Sequence, residues 1–210
     1  VIGSKRTLFL IVKCIKSRKS DMSESVNDSL TGHFMVALPG LKTEVFQEAV
    51  IFICHHDSSG AMGLVINQPI NGLDLADIVH NPVSQNNDDS DPEIFWGGPV
   101  NMDQGFVLHS SEVSGSSTLS VNADLSVTPH LDMLDGSEND SPAPQFYKAI
   151  LGHVAWKSGE LEKEWAENEW IAIPYRKEFI FDADPDHQWQ DILADCGIFS
   201  SRLSPQRGRL

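Results

Sequence analysis

Apolar residues fall along this chain in short runs that end on glycine, proline or clusters of polar residues. HFMVALPG (33–40) reads as a strand stopped by Pro39 and Gly40. VFQEAVIFICHH (45–56) passes from a short polar turn into the β-branched run Val50, Ile51, Phe52, Ile53. GLVINQP (63–69) is a second such run, ended by Pro69. HDSSGAM lies between the two and is rich in turn formers, so the pair predicts a β-hairpin. Leu73, Leu75, Ile78 and Val79 suggest a short helix, and residues 80–93, almost all polar, a surface loop. IFWGGPV (94–100) and QGFVLHS (104–110) read as strand ends around a Gly-Gly-Pro corner. Leu119, Val121, Leu125 and Val127 alternate with polar residues, which predicts a small hairpin turning at Asn122, Ala123 and Asp124. Residues 135–144 form another loop.

The last third alternates strand and helix. QFYKAILGHVAW (145–156) is a strand. SGELEKEWAENE (158–169) is a helix, with Leu161 and Trp165 on one face among glutamates. WIAIPY (170–175) is a strand closed by Pro174. Residues 182–198 predict a helix with Asp184 at the N-cap and Pro185 at the first position. Trp189, Ile192, Leu193 and Cys196 form its apolar stripe, and Gly197 marks its end. Strands outnumber helices and hairpins dominate, so the expected class is α+β with a largely antiparallel sheet.

Charge divides the chain. The 210 residues carry a formal net charge of −15. Lys5, Arg6, Lys13, Lys16, Arg18 and Lys19 make residues 1–21 basic, against Asp21 alone. An acidic body repels phosphate backbones, so the folded part is not expected to bind nucleic acid directly, and its acidity serves solubility. TLFLIV is interrupted by Lys13 and is short for a signal-peptide core, and no run reaches a membrane span. Residues 1–21 therefore read as an upstream basic extension with Met22 as the natural start. A membrane-surface peptide built on KCIKSRK is the alternative. Residues 22–31 then form a flexible lead, residues 32–198 one domain, and residues 199–210 a basic tail expected to be disordered. Cys14, Cys54 and Cys196 lie far apart with no C-x-x-C, which suits a reducing cytosol and excludes a zinc site of thiolates alone. Neither a cofactor nor a metal is expected.

GHFMVALPGL, VIFICHHDSSGAMGLVINQP, WGGPV, GFVLH, LGHVAWKSGELEKEW and WIAIP occur in this order. Together they resemble the YqgE/AlgH family of bacterial proteins, from about Gly32 to about Gly197. The resemblance implies a cytosolic α+β fold with a bent, mostly antiparallel, barrel-like sheet flanked by helices. It also brings the label of transcriptional regulator, carried by some members, and no established catalytic residue. The positions that match its motifs are Gly60, Gly63, Asn67, Gly97, Gly98, Pro99, His109, Gly152, Trp156 and Gly159.

Candidate chemistry concentrates in CHHDSSGAMG. Neighbouring strand residues point to opposite faces, so His55 and His56 do not share one ion, whereas Cys54 and His56 are expected on one face. Neither a phosphate loop nor G-x-S-x-G is present. Trp96, Gly97, Gly98 and Pro99 form either an anion-binding corner or a sheet bulge, and the bulge is the simpler reading. His109 ends a strand, and His153 reads as a satisfied, half-buried strand histidine. The glutamates of 160–169 read as a solvated face, and Trp165 and Trp170 as core anchors. Cys54 and Cys196 read as small buried hydrophobes. The expected function is a non-enzymatic regulatory domain that binds a small ligand or a protein partner. The expected site is where His55, His56, Asp57 and Gly60, the corner Trp96, Gly97, Gly98 and Pro99, and His109 approach one another. The alternative is a hydrolase or redox enzyme using His55, His56, Asp57 and His109 beside Cys54.

Overall fold

The computed structural model describes residues 29–39, 41, 43–83, 92–136 and 143–198. The basic extension (1–21), all but the end of the lead (22–31) and the tail (199–210) lie outside the described residues, as do parts of both expected loops.

Alternating β-branched and aromatic residues build the first antiparallel group: β1 (His33–Ala37), β2 (Val50–Asp57) and β3 (Gly60–Val65). The β2–β3 hairpin has a two-residue loop, with Asp57 opposite Gly60. The Asp57 carboxylate closes it by accepting from the Ser59 N–H at 2.7 Å and the Ser59 hydroxyl at 2.6 Å. Pro69 begins a strand instead of ending one. Among the described strands β4 (Pro69–Asp74) pairs with β5 (Glu93–Trp96) alone, and the first position of an edge strand tolerates a missing N–H. The helix expected over 73–79 is a single 3-10 turn, Leu75–Asp77, closed by reciprocal bonds between Asp74 and Asp77.

The remaining elements are a 3-10 turn at Glu44–Phe46, β6 (Val100–Ser110), β7 (Leu119–Ser120), β8 (Leu125–Thr128), a 3-10 turn at Leu131–Leu134, β9 (Tyr147–Lys157), α1 (Glu160–Ala166), β10 (Trp170–Pro174), α2 (Glu178–Phe181) and α3 (Pro185–Asp195). α2 spans four residues, too few to leave a helical period in the sequence. α3 starts as expected, with Asp184 accepting from the Asp186 N–H, and Gly197 follows it at φ +74°.

Among the described residues ten strands form one strongly curled, mostly antiparallel sheet in the order β10-β1-β2-β3-β9-β6-β8-β7, with β4 and β5 off this path. β9 is its hinge. One edge pairs first with β5, in parallel, from Ala149 to Leu151, then with β3 from Val154 to Lys157. The other edge pairs with β6. Gly152 lies between the two halves at φ +73°, where β9 passes from one neighbour to the next.

Both faces of the sheet are covered. Phe34, Phe52, Leu64 and Phe106 pack beneath Ile180, Trp189 and Ile192 of α2 and α3. On the opposite face Met35, Ile51, Ile53 and Trp156 pack with Leu161 of α1 and Trp170. A third cluster joins Ile94, Val107 and Ala149 to Leu75, Leu131 and Leu134 of the 3-10 turns. Each buried side chain of this size contributes roughly 1.5–3 kcal/mol. An exposed ion pair such as Arg176–Asp195 adds at most about 1 kcal/mol, so apolar burial holds the fold.

Candidate functional site

The three segments expected to converge are strung along β9 instead. The hairpin turn lies at its C-terminal end, with Gly60 opposite Lys157. The Trp96–Pro99 corner lies at its middle, where the Gly97 N–H donates to the Leu151 carbonyl at 2.8 Å. His109 lies opposite Tyr147 at its start. From Tyr147 to Lys157 the strand runs up to about 33 Å at roughly 3.3 Å per residue. His55, His56, Asp57 and Gly60 therefore do not share a cleft with His109. The reason is register, which a sequence pattern does not carry.

A one-residue bulge also separates Cys54 from His56. Ile53 pairs with Gly63 and His55 with Met62, so Cys54 is the unpaired residue, and strand parity flips after it. Cys54 faces the cluster under α2 and α3, while His56 faces α1. Burial pushes the Cys54 thiol well above its ordinary pKa, so it is not a thiolate at neutral pH.

His56 is buried and fully engaged. Its Nδ1 accepts the Leu30 N–H at 2.8 Å, which puts the proton on Nε2, and Nε2–H donates to Glu162 Oε1 at 3.1 Å. Its backbone N–H donates to the Thr31 hydroxyl, and its carbonyl accepts from Ser29 Oγ. The histidine thus fastens the chain before β1 to the hairpin. His55 is exposed and pairs with Asp57 at 3.1 Å. The Asp57 carboxyl is lowered to about 2, first by its bonds from Ser59 and to a smaller extent by His55.

His109 is completely buried and both its ring nitrogens are hydrogen-bonded. Its Nδ1–H donates to the Ser110 carbonyl at 2.9 Å, so Nε2 accepts from the Thr128 hydroxyl at 3.0 Å. Thr128 Oγ1 then accepts from Thr118 Oγ1, which accepts the Gly115 N–H. Burial holds His109 neutral by lowering its pKa, against smaller opposing effects of Ser110 and Glu112. His153 was expected to be satisfied. Its Nδ1 is buried with no partner among the described residues, its ring stands edge-on to Phe106 at 5.4 Å, and burial lowers its pKa.

The glutamates of α1 are more than a solvated face. Glu164 Oε2 accepts the indole N–H groups of both Trp156 and Trp170 at 2.9 Å, and Glu160 accepts the Lys157 N–H at 2.8 Å. Lys148 is buried, with Nζ 3.7 Å from the centre of the Phe95 ring, and desolvation lowers its pKa to about 8.

The glycine corner is a backbone crossing. A Cβ on Gly97 would lie 2.3 Å from the Gly152 carbonyl, and one on Gly98 2.3 Å from the His153 carbonyl carbon. Just beyond it β6 bulges. Five steps from Val100 to Gly105 are set against two steps of β9, from His153 to Leu151. Asn101 takes a left-handed φ of +47° to make the turn. The bulge rests on Gly152, where a Cβ would lie 3.3 Å from Met102 Cα. Met102 and Asp103 are thereby lifted out of the ladder.

They line an open cleft of about 430 Å³. Ile78, after the 3-10 turn at Leu75–Asp77, lines it too, with Leu151 of β9. Pro129, His130, Leu131 and Asp132 line it as well. Leu131 seats on Gly105, where a Cβ would lie 2.5 Å from Leu131 Cγ. His130 Nε2 is 2.6 Å from the Ser117 hydroxyl. Among the described residues four large apolar side chains are exposed: Val45, Ile78, Met102 and Leu119. Two of them, Ile78 at 46% and Met102 at 57%, line this cleft. The corner Trp96–Pro99 that supports the cleft is visible in the sequence, whereas the cleft lies beyond Pro99. The available signal was an apolar Met102 in an otherwise polar Asn101–Gln104 stretch between two strand segments. No group of three His, Cys, Asp or Glu residues among the described residues is placed to hold a metal ion.

These features define an α+β protein built on one curled, mostly antiparallel sheet, with an open cleft at the bulge of β6. The chain belongs to the AlgH-like family, whose family model matches residues 34–201. A UPF0301 protein of Vibrio vulnificus is 39% identical over 187 residues, covering 86% of this chain and 98% of the relative. A UPF0301 protein of Pseudoalteromonas translucida is 36% identical over 182 residues, with the same coverage. The solution structure of the AlgH protein from Pseudomonas aeruginosa is similar with a TM-score of 0.66 and 33% identity, covering 90% of this chain and 100% of that one. A Corynebacterium diphtheriae protein, DIP2367, shares the fold at 17% identity, with a TM-score of 0.63 and coverage of 88% and 92%. No helix among the described residues is long and apolar enough to cross a membrane.

Proposed function

We propose that this protein is a non-enzymatic cytosolic binding domain that takes a small ligand or a segment of a protein partner at the Met102 cleft, with regulatory consequences. The observation that carries this reading is the convergence of Met102 and Ile78, exposed and apolar, from separate elements onto one open cleft. The left-handed turn that displays Met102 falls on Asn101, a residue type that adopts this conformation readily. Methionine adapts to varied apolar partners. Binding in place of catalysis is supported by the employment of His56 and His109 in structural hydrogen bonds. A ligand other than duplex DNA is supported by charge: no lysine or arginine occurs from Thr43 to Tyr147.

The test is a thermal-shift screen of the full chain against a library of primary metabolites, with a DNA duplex included at physiological salt. Any metabolite that stabilises the protein should lose its effect in Met102→Glu, while the unliganded variant melts within about 2 °C of the parent, as a surface change should. The duplex is expected to give no shift. Full retention of the metabolite effect in Met102→Glu would remove the cleft from the proposal.

A further inference from the structure

The cleft has a chemical bias beyond being apolar. Asp103 stands beside Met102 on the bulge, and Asp132, in the 3-10 turn at Leu131–Leu134, lines the same cleft, both exposed. The turn that carries Ile78 contains Asp74 and Asp77, also exposed. No lysine or arginine lines the cleft or occurs in the 105 residues from Thr43 to Tyr147 that supply most of it. Leu151, beyond that stretch, is apolar. Exposed apolar side chains beside two aspartates and His130, with no lysine or arginine among them, are complementary to a chain that presents an apolar side chain between cations. The cleft is open, and its apolar contacts come from separate points on β6, β9 and two turns. That form suits an extended segment laid across it better than a small molecule enclosed by it.

Resting on the binding reading above, we infer that the occupant is a basic, apolar peptide segment of a partner protein, with lysine or arginine flanking a bulky apolar side chain. The apolar side chain seats between Met102, Ile78 and Leu131, and the flanking cations face Asp103 and Asp132. Electrostatic attraction to the acidic surface speeds encounter, and the methionine floor sets how long the segment stays.

The experiment is fluorescence anisotropy of the full chain with a labelled peptide of alternating lysine and leucine. Its glutamate-leucine and lysine-glycine counterparts serve as comparisons. The lysine-leucine peptide is expected to bind and the other two to bind at least several-fold more weakly. Asp103→Asn with Asp132→Asn should weaken binding roughly ten-fold at low salt, the ordinary worth of two exposed ion pairs, and less at high salt. Met102→Ala should weaken it at both salts. Glu44→Gln with Asp191→Asn removes the same charge from exposed positions on other elements and should change affinity by less than about two-fold. The inference is overturned if the lysine-leucine peptide does not bind, if its glutamate counterpart binds equally, or if the remote pair weakens binding as much as the cleft pair. A metabolite whose stabilisation still depends on Met102, in a protein that ignores the basic peptide, would overturn this inference alone and leave the binding reading standing. A metabolite and a peptide both indifferent to Met102 would overturn both.

Discussion

The α1 end of β9 and the Met102 cleft distribute chemical capacity in opposite ways. At the first, His56, Glu160, Glu162 and Glu164 offer an imidazole and three carboxylates, and each is occupied: by Leu30 and Glu162, by the Lys157 amide, by His56, and by two indoles. At the second, a methionine and an isoleucine stand exposed on a distorted strand and a single 3-10 turn. A buried polar group must be paired, so polar residues near a core are drawn into architecture. An apolar side chain left in water has no such partner inside the fold, and a cluster of them is a better mark of a surface meant for something else.

The sharpest break of this contrast would come from Glu164. Replacing it with alanine leaves the Trp156 and Trp170 N–H groups without an acceptor in a region where both rings are buried. At about 1–3 kcal/mol for each unsatisfied group, the expected loss is about 3 kcal/mol, or roughly 6–12 °C in Tm for a chain of this size. Glu164→Gln retains an oxygen acceptor and should recover most of it. Thermal unfolding followed by tryptophan fluorescence measures both. An unchanged Tm in Glu164→Ala would free the glutamates of α1 for another role and return attention to that end of the sheet.

A smaller effect, at the far end of β9, sharpens the comparison through pH. Burial keeps His109 neutral, with its pKa below the ordinary value, and His153 shifts the same way. The unfolded chain takes up a proton at each near pH 6.5, and the folded chain only at lower pH. Their contribution is therefore complete above about pH 6.5 and declines as the pH falls through that value toward the folded pKa. One such group changes stability by at most about 1.4 kcal/mol per pH unit. Urea unfolding from about pH 7.5 to pH 5 should show a shallower loss in His109→Gln than in the parent. An identical slope would mean that His109 already titrates freely in the folded protein, and so is accessible in a way its hydrogen bonds do not suggest.

What the sequence disclosed follows the range of the forces involved. The Asp57–Gly60 hairpin, the Asn122 turn and the Asp184–Pro185 helix start are local, and the structure has all three. The α+β class and the curled sheet follow from the number of short apolar runs and from the family resemblance. The bulge at Cys54 leaves no trace, because Cys54 continues an apolar run and only the partner strand reveals that it is unpaired. β4 was hidden by Pro69, and α2 by its length. The corner at Gly97 and Gly98 was visible, but its reason, a close crossing with Gly152 more than fifty residues later, was not. The cleft depends on that crossing together with turns near Ile78 and Leu131, three long-range facts at once. Histidines and glycines drew attention because their chemistry is visible in one dimension, whereas exposure of an apolar residue is a property of the fold.

The smallest expected effect is the one that separates a displayed surface from a poorly covered core. Met102→Ala and Ile78→Ala remove apolar atoms that already contact water, so each should change stability by within about 0.5 kcal/mol. A buried neighbour behaves differently. Leu131→Ala, in the same cleft, removes a side chain packed on Gly105 within the third core cluster and should cost about 2–4 kcal/mol. The three variants lie within one cleft, so urea unfolding compares them on common ground. If Met102→Ala cost as much as Leu131→Ala, Met102 would be holding the bulge of β6 together. The left-handed turn at Asn101 would then serve folding, and the cleft would stand with His56 and Glu164 as architecture. If the methionine and isoleucine variants are neutral while the leucine variant is not, the fold is indifferent to the two side chains it exposes. Their placement then calls for a partner outside the chain.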